Sequence, residues 1–590
     1  AVLEDVLEIG RQDREEIYSI NATRPQPLVK EEDRLGVQER LDSNGNIITP
    51  LHKAEIYKAV DRIKARGPQA VAVSFLFSFA NPEHEKAMTA ALKQLPDVYI
   101  AASSEVLPEF REFERTSTTV LEAYLGPLVL TYLNRLDSSI DKICPNSRFA
   151  IMQSNGGTVL CSQTEGRAVG LAISGLAGGV IGGWQVASAA DVSKAITLDM
   201  GGTSCDISAV SGGITLRPDN EIAGLPLRTR SVDVKTIGAG GGSIAWIDSA
   251  GILHVGPQSA GAIPGPAAYA MGGTHATVTD ANLVLGRFNP EYFVGGQIKL
   301  QDGLASSAIA SIGKKLNLSI RNAALGIIRI STSNMVQAIR EVTVERGRDP
   351  RDFILVPFGG AGPTQAVDIA DALGIHSILV PRYPGITSAY GLVCANLRVD
   401  LMKTVLLSEG RETEGVLSDV LRNLTARATN DLLDQGASSE KISVEWSIDM
   451  RYSGQSHELN VEISPSMPNL LNFSKKQFEE EHRKAFGYSM RERDLEWVTV
   501  RVAAIAEHAK PSIAKAESTQ NGEPVGAREI LVGTDELQLA DVYRRETLAS
   551  GQRLAGPSLI EQLDTTVYVG PDWTAEQQGD GTLWIRRPKS

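Results

Sequence analysis

The sequence predicts an α/β fold in several domains, and three observations carry that expectation. Three apolar, strand-like runs in the middle of the chain end in glycine turns, at ITLDMGGTS, IGAGGGSIAWI and FILVPFGGAGPTQAV. These runs alternate with helix-periodic stretches, the rhythm of strand–turn–helix units. The 590 residues also exceed the ~250–300 at which single hydrophobic cores stop growing, so two or three domains are expected.

The changes in texture divide the chain into residues 1–148, 149–405 and 406–590, the last an α+β region. In the first segment Val71 to Phe79 (VAVSFLFSF) reads as a buried strand closed by Asn81-Pro82. Pro82-Glu83-His84-Glu85 then opens an amphipathic helix, with proline early and acids in the first turn. Arg148 to Ser154 is a second strand, and Asn155-Gly156-Gly157 after it suits a tight turn with positive φ. Ala168 to Ala190 carries no charge and approaches membrane-spanning length. Its six glycines and the polar Ser174, Gln185 and Ser188 fit a buried strand, glycine turn and packed helix better, so no membrane span is expected. From Ala195 the glycine-ended strands follow. After Arg398 a helical pattern at Val416 to Asp434 gives way to alternating stretches at Val444–Tyr452 and His457–Ile463. Ser512 to Ala527 reads as a linker or long loop, and a β-rich segment runs from Glu529 to Trp584.

A net charge of −13 argues against a nucleic-acid or anionic-membrane surface, where a basic patch would be expected. Cys144, Cys161, Cys205 and Cys394 form no CxxC pair, so neither a disulfide framework nor a structural zinc site is expected, and a reducing cytoplasm fits. The eight histidines show no HExxH spacing. The first residues, AVLEDVLEIGRQDREE, have no basic region and no long apolar run, so no secretory signal is read there.

Candidate chemistry centres on Ile196 to Asp206. An apolar strand delivers Asp199 to its carboxyl end, where it can hold Mg²⁺ directly or through water. Gly201 and Gly202 let backbone N–H groups approach an anion without Cβ obstruction, and Thr203 and Ser204 add hydroxyl donors. This is phosphate-binding chemistry without the lysine of a P-loop; a plain hairpin turn would read the same way. Asp199 and Asp206 are the candidate catalytic acids. The second turn, Gly359, Gly360, Ala361 and Gly362, opens a helix and can lie against an adenine or ribose, though such turns also serve packing alone. Gly240, Gly241 and Gly242 are a third candidate for lining a cleft.

Two such turns in this order resemble the actin/sugar-kinase/Hsp70 superfamily. The wording LDMGGTSCDIS, TIGAGGGSIAW, VGPQSAGAIPGPAAY, TVTDANLVLGR and FGGAGPTQA is similar to the hydantoinase A/5-oxoprolinase/acetone carboxylase β family. The similarity continues through EVLPEFREFERTSTTVLEAY, MQSNGG, MRYSGQSHEL and AFGY and covers essentially the whole chain. It implies an actin-like ATPase core that uses ATP and Mg²⁺ to phosphorylate a lactam or other carbonyl oxygen, creating a leaving group on an electrophilic carbon. It implies a hydantoinase B-type partner subunit as well. Ketone carboxylation and a non-catalytic scaffold role are the alternatives.

Family members normally begin with a strand and a phosphate loop of the form DxGGTxTD, whereas this chain opens at AVLEDVLEIGRQ. The expectation is therefore an ATPase core lacking its first hairpin. Its exposed sheet edge would be covered in an oligomer by a B-type subunit or a separate N-terminal fragment. Leu176, Lys235, Gln365 and Ile263 also stand where family wording usually differs. Other residues read two ways. Cys205 is a thiol nucleophile or a small packed residue; Asp280 and Asn282 line a cleft or cap a helix. Arg111, Glu114 and Arg115 form an ion network or touch substrate, and His457 reads as strand surface or interface rather than as a ligand.

Overall fold

The computed structural model describes residues 4–11, 18, 26–222, 224–465, 467, 469–511, 520–532 and 536–588. The chain folds into two compact units: Ala1–Ser174 with Arg217–Ser231 and Asn396–Ala509, and Gly175–Leu216 with Val232–Ala395 and Lys510–Ser590. The units thus interleave stretches that are far apart in the sequence.

In the first unit, parallel strands Ala70–Val73 and Tyr99–Ala102 are joined through the helix Glu83–Leu92, and the helix Lys53–Arg66 precedes them. Ile56, Ile63, Val73, Met88 and Leu92 form the core of this module. The helix after Pro82 is where its acids and early proline place it. The strand expected over Val71 to Phe79 is shorter: it stops at Val73, the Phe75 amide donates to Glu85 Oε1 at 2.8 Å, and Phe77 takes a left-handed φ of 61°. A carboxylate acceptor and a turn residue thus end a run that apolarity alone would continue. The helix Glu112–Ile143 follows, with Pro127 inside it.

A six-stranded sheet completes this unit. Its order is Leu459–Ile463, Ile442–Tyr452, Leu495–Ala506, Leu397–Ser408, Thr158–Leu160 and Ala150–Met152. The alternation read at 444–452 is realised here, that read from His457 begins only at Leu459, and the helical pattern at 416–434 is the helix Thr413–Asp434. Period-two alternation gives the sheet two different faces. Val399, Ile448, Val500 and Val502 join the helices Thr413–Asp434 and Leu470–Phe486 in one apolar core. Arg398, Asp400, Asp449 and Arg501 occupy the alternate positions, so the other face is charged.

The second unit is built on an eight-stranded sheet. Its order is Lys235–Ile237, Cys205–Ser211, Lys194–Met200, Ile354–Phe358, Ser377–Val380, Leu583–Arg586, Thr574–Gln577 and Arg553–Ala555. Lys194–Met200 and Ile354–Phe358 run parallel, so the two glycine turns leave the same end of neighbouring strands. Ile196, Leu198, Leu355, Ile369 and Val567 belong to the large core of this unit. The β-rich segment near the C-terminus adds three edge strands to the sheet and a separate four-stranded sheet over Gly526–Val532, Glu536–Arg544, Ser558–Glu561 and Thr566–Val569. Of the stretch read as a linker, residues 512–519 lie outside the described residues.

Ala168 to Ala190 is not a strand and turn but a short 3-10 turn, Ala168–Leu171, followed by the helix Ser174–Ala189. Its glycines serve close approach. A Cβ on Gly182 would sit 2.1 Å from the Thr387 carbonyl oxygen, and one on Gly391 would sit 1.9 Å from that of Gly178. The helix Thr387–Cys394 therefore crosses it backbone against backbone. Among the described residues no helix is long and apolar enough to cross a membrane.

Candidate active site

The site lies in the second unit, where three glycine turns meet. Antiparallel pairing sets Asp199, on Lys194–Met200, directly opposite Asp206, on Cys205–Ser211. Both carboxyls titrate above their usual range. Burial is the larger cause at Asp199, opposed by the Ser388 hydroxyl, which donates to Oδ2 at 2.9 Å, and the Asp206 charge adds to the rise. Burial likewise raises Asp206, against the Thr236 hydroxyl donating to Oδ1 at 2.6 Å. Two crowded, half-desolvated carboxylates are a place where a cation is stabilising. Mg²⁺ is commonly held by one or two carboxylates together with substrate phosphate oxygens, and this pair fits that donor set. No larger cluster of metal-ligating side chains occurs among the described residues.

The loop between these strands supplies the anion side. Gly201 N donates to the Ser204 carbonyl at 3.1 Å, while the amides of Gly202 and Thr203, both exposed, have no hydrogen-bond partner among the described residues. Free amides beside a carboxylate pair are the elements of a phosphate–metal site. The Gly240–Gly242 turn braces this loop. Its glycines are buried; Gly241 N donates to Gly201 O at 3.0 Å and Gly242 N to Gly202 O at 2.7 Å. Gly240 N is held by the Ser243 hydroxyl at 2.8 Å, and a Cβ there would stand 2.5 Å from Thr203 N. These amides are therefore committed within the protein, and the turn shapes the cleft rather than donating to a ligand. The Gly359–Gly362 turn is tied in by Ala361 N, which donates to Met200 O at 3.0 Å. Gly359 has φ 76°, and a Cβ there would press to 2.6 Å from Asp199 Oδ1, so only glycine fits beside the acid.

Together Gly201, Gly202, Gly241, Gly242, Gly360 and Ala361 line a cavity of about 230 Å³. Tyr269, Phe288, Tyr292 and Phe293 give the same cavity an aromatic wall; the Phe288 and Phe293 rings meet edge-to-face at 5.3 Å. Such a wall suits a planar base. Sequence reasoning missed this wall and the Gln562–Thr566 loop that faces it. Asp564 of that loop accepts from Gly385 N at 2.6 Å through Oδ2, while its buried Oδ1 has no hydrogen-bond partner among the described residues. The loop joins two short strands without a glycine turn, the signal that marked the other three.

The doubtful residues resolve by contact. Cys205 is fully buried, and burial holds its thiol far above the ordinary range, so it is a packing residue. In the native protein a soluble thiol reagent is expected to label the exposed Cys144 rapidly and to reach Cys161, Cys205 and Cys394 only on unfolding; prompt labelling of Cys205 would contradict this. Asp280 closes a capping box with Thr277 and accepts from the amides of Ala267 and Ala268, a structural role. Asn282 is buried and donates to Val278 O. Arg111 pairs with Glu458 and Glu114 with Arg11, whereas Arg115 donates to the carbonyls of Glu109 and Phe75. His457 is exposed. Lys235 pairs with Glu341 at 2.7 Å, Ile263 is 81% exposed, and the buried Gln365 side chain has no hydrogen-bond partner among the described residues.

Comparison with known proteins gives this geometry a context. Residues 115–401 match the family described as Hydantoinase/oxoprolinase, residues 2–95 its N-terminal region and residues 408–578 its C-terminal domain. The N-terminal region is thus represented, which corrects the expectation that its opening segment is lacking: the match takes in the helices Lys53–Arg66 and Glu83–Leu92 and the strand Ala70–Val73. The chain is 38% identical to an uncharacterised protein of Methanocaldococcus jannaschii, over 99% of this chain and 86% of that one. It is 36% identical to the caprolactamase subunit alpha of Pseudomonas jessenii, over 97% of this chain and 84% of that one. With 5-oxoprolinase of Dictyostelium discoideum it shares 28% identity over 97% of its length, which spans 49% of that protein. Among solved structures, the ATP-dependent caprolactamase from Pseudomonas jessenii matches with TM-score 0.90 and 34% identity, covering 100% of this chain and 86% of that one. Nucleotide-free acetone carboxylase matches with TM-score 0.76 and 25% identity, over 99% and 87%.

Proposed function

Because the chain belongs to the hydantoinase/oxoprolinase family, we propose that it uses Mg·ATP to phosphorylate and so activate the carbonyl oxygen of a cyclic amide for hydrolysis. The observation that carries this reading is the apposed Asp199–Asp206 pair, joined by a loop whose Gly202 and Thr203 amides are free among the described residues and whose Gly201 and Gly202 line a cavity shared with four aromatic side chains. The two carboxylates would hold the metal, and the metal would neutralise charge on the phosphoryl group. Gly202, Thr203 and Ser204 would donate to its oxygens. Gly360 and Ala361 would border the nucleoside, with the aromatic wall against the base. These residues position and neutralise; phosphoryl transfer asks little else of a protein.

The family likeness supports a partner subunit, since one relative is itself described as a subunit alpha. The test is phosphate release by the chain with its B-type subunit, against a panel of lactams. Release that rises with one lactam is the expected result; release indifferent to every lactam would contradict the proposed activity. The likeness to acetone carboxylase favours a second reading, ketone carboxylation, which the same assay separates by its dependence on a ketone with bicarbonate. Calorimetry with Mg·ATP on the chain alone should give a dissociation constant in the micromolar range, about −8 kcal/mol. Absence of binding would favour the scaffold alternative.

A further inference from the structure

The charged face of the six-stranded sheet in the first unit is not used by the proposed reaction, yet three motif strings from outside the cleft converge on it. MQSNGG brings Asn155, whose side-chain amide donates to Asp400, and EVLPEFREFERTS brings Glu109. MRYSGQSHEL follows Asp449 directly and carries Arg451 and Glu458. The arginines and acids here are matched in turn. Arg398 forks onto Asp400, with Nη2 to Oδ1 at 2.9 Å. Arg501 pairs with Asp449 at 2.7 Å and with Glu109, and Arg228 also pairs with Glu109. Along the same edge Arg451 holds Glu458 and Glu496, and Arg111 holds Glu458.

One cation is left over. Arg230 lies two residues beyond Arg228 on the strand Leu225–Val232 and so on the same strand face. Its half-buried guanidinium makes no hydrogen bond or ion pair among the described residues, although it sits within electrostatic reach of Asp400, Asp449, Arg398 and Arg501. Four arginines (228, 230, 398 and 501) thus share three largely buried acids (Glu109, Asp400 and Asp449). The further acids in reach, Asp219 and Glu445, have side chains 56% and 63% exposed and are screened by water. A second donor is underused as well: Arg501 Nη1 finds only the Met402 sulfur, a weak acceptor, at 3.2 Å. An uncompensated guanidinium held in a polar, partly desolvated layer is a fork waiting for two acceptor oxygens.

We propose that the first unit carries a subsite for a compact oxyanion, a carboxylate or a phosphate, bound by the guanidinium of Arg230 with Arg501 Nη1 as its neighbour. The subsite stands independently of the reaction proposed above; only the choice of lactam probes rests on that reading. Two sources offer the chemistry: a carboxylate on the organic substrate, or free phosphate.

Calorimetry on the full chain without nucleotide tests the subsite separately from ATP use. The probes are 5-oxoproline, which has a carboxylate, inorganic phosphate, and caprolactam, which has no charge. Arg230→Gln is expected to weaken binding of at least one oxyanion tenfold or more and to leave any caprolactam heat unchanged. Arg230→Lys, which keeps the charge without the fork, should weaken it less. Phosphate can also enter the glycine cleft, so the loss must persist in a Gly202→Asp background. Loss for 5-oxoproline identifies a substrate carboxylate, and loss for phosphate identifies the free ion. Equal oxyanion affinity in Arg230→Gln, or no oxyanion heat in the parent, would overturn the proposal. Since Arg230 holds no ion pair, Arg230→Gln should melt where the parent does; a variant that fails to fold would show the cation to be structural and overturn it equally.

Discussion

Asp199→Asn is expected to slow ATP turnover by about 10²–10³-fold, the scale on which single charge-stabilising groups act in transition states. The change removes one of two facing carboxylates while keeping an acceptor for the Ser388 hydroxyl, so the local geometry survives. The same substitution has a second, opposite signature. A carboxyl whose folded pKa is raised opposes folding at every pH above that raised value, and the penalty is absent below the unfolded pKa of about 3.9. Both causes of the rise at Asp199, burial and Asp206, are removed from account once the residue is neutral. Nucleotide-free Asp199→Asn should therefore melt at or above the parent at neutral pH. The difference should close as the pH falls below about 4, where the parent aspartate is protonated in both states. Phosphate release followed by coupled assay, and melting curves from pH 3 to 8, give the two halves. Unchanged turnover in the folded variant would remove Asp199 from the metal site.

The largest stability effect is expected at Glu109. This carboxylate is 1% exposed and bridges Arg228 and Arg501, themselves nearly buried. Glu109→Ala leaves both without their shared acid in a place that water reaches poorly, and truncating one partner of a buried ion cluster costs about 3–5 kcal/mol. Asp219→Ala removes an exposed acid from the same Arg228 and is expected to cost about 0–1 kcal/mol. Denaturant titration of the two variants side by side measures the contrast. Equal, small losses would mean that solvent screens the cluster.

The sequence made the strand ends legible because their signal is local. LDMGGTS and FGGAGP each carry an apolar run, a turn and a helix or strand within a dozen residues, and the structure puts them on adjacent parallel strands. The acidic half of the site was readable for the same reason, since Asp199 and Asp206 flank one turn. What stayed hidden is what depends on distant partners. Asp564 reaches the cleft from a loop with no glycine signature, and Glu109 takes its meaning from Arg228 and Arg501, 119 and 392 residues away. The glycines of Ser174–Ala189 misled in another way. Read locally they break a helix; in the structure they remove side chains where another helix crosses.

The braided path of the chain has a consequence for its synthesis. Strand Thr158–Leu160 neighbours Leu397–Ser408, with Thr158 opposite Leu397, and that strand in turn pairs along its length with Leu495–Ala506. A ribosome that has just released Thr158 must add ~240 more residues before its partner emerges, roughly 12–50 s at bacterial and eukaryotic elongation rates. Glu109 is made before that interval, and its partner Arg501 only about 100 residues after it. The second unit waits as well, because Ser377–Val380 pairs with Leu583–Arg586, about 200 residues later in the chain. Nascent chains of this protein therefore carry halves of two unfinished sheets over these stretches of translation, and pausing or early termination before Leu495–Ala506 is made leaves neither sheet able to close.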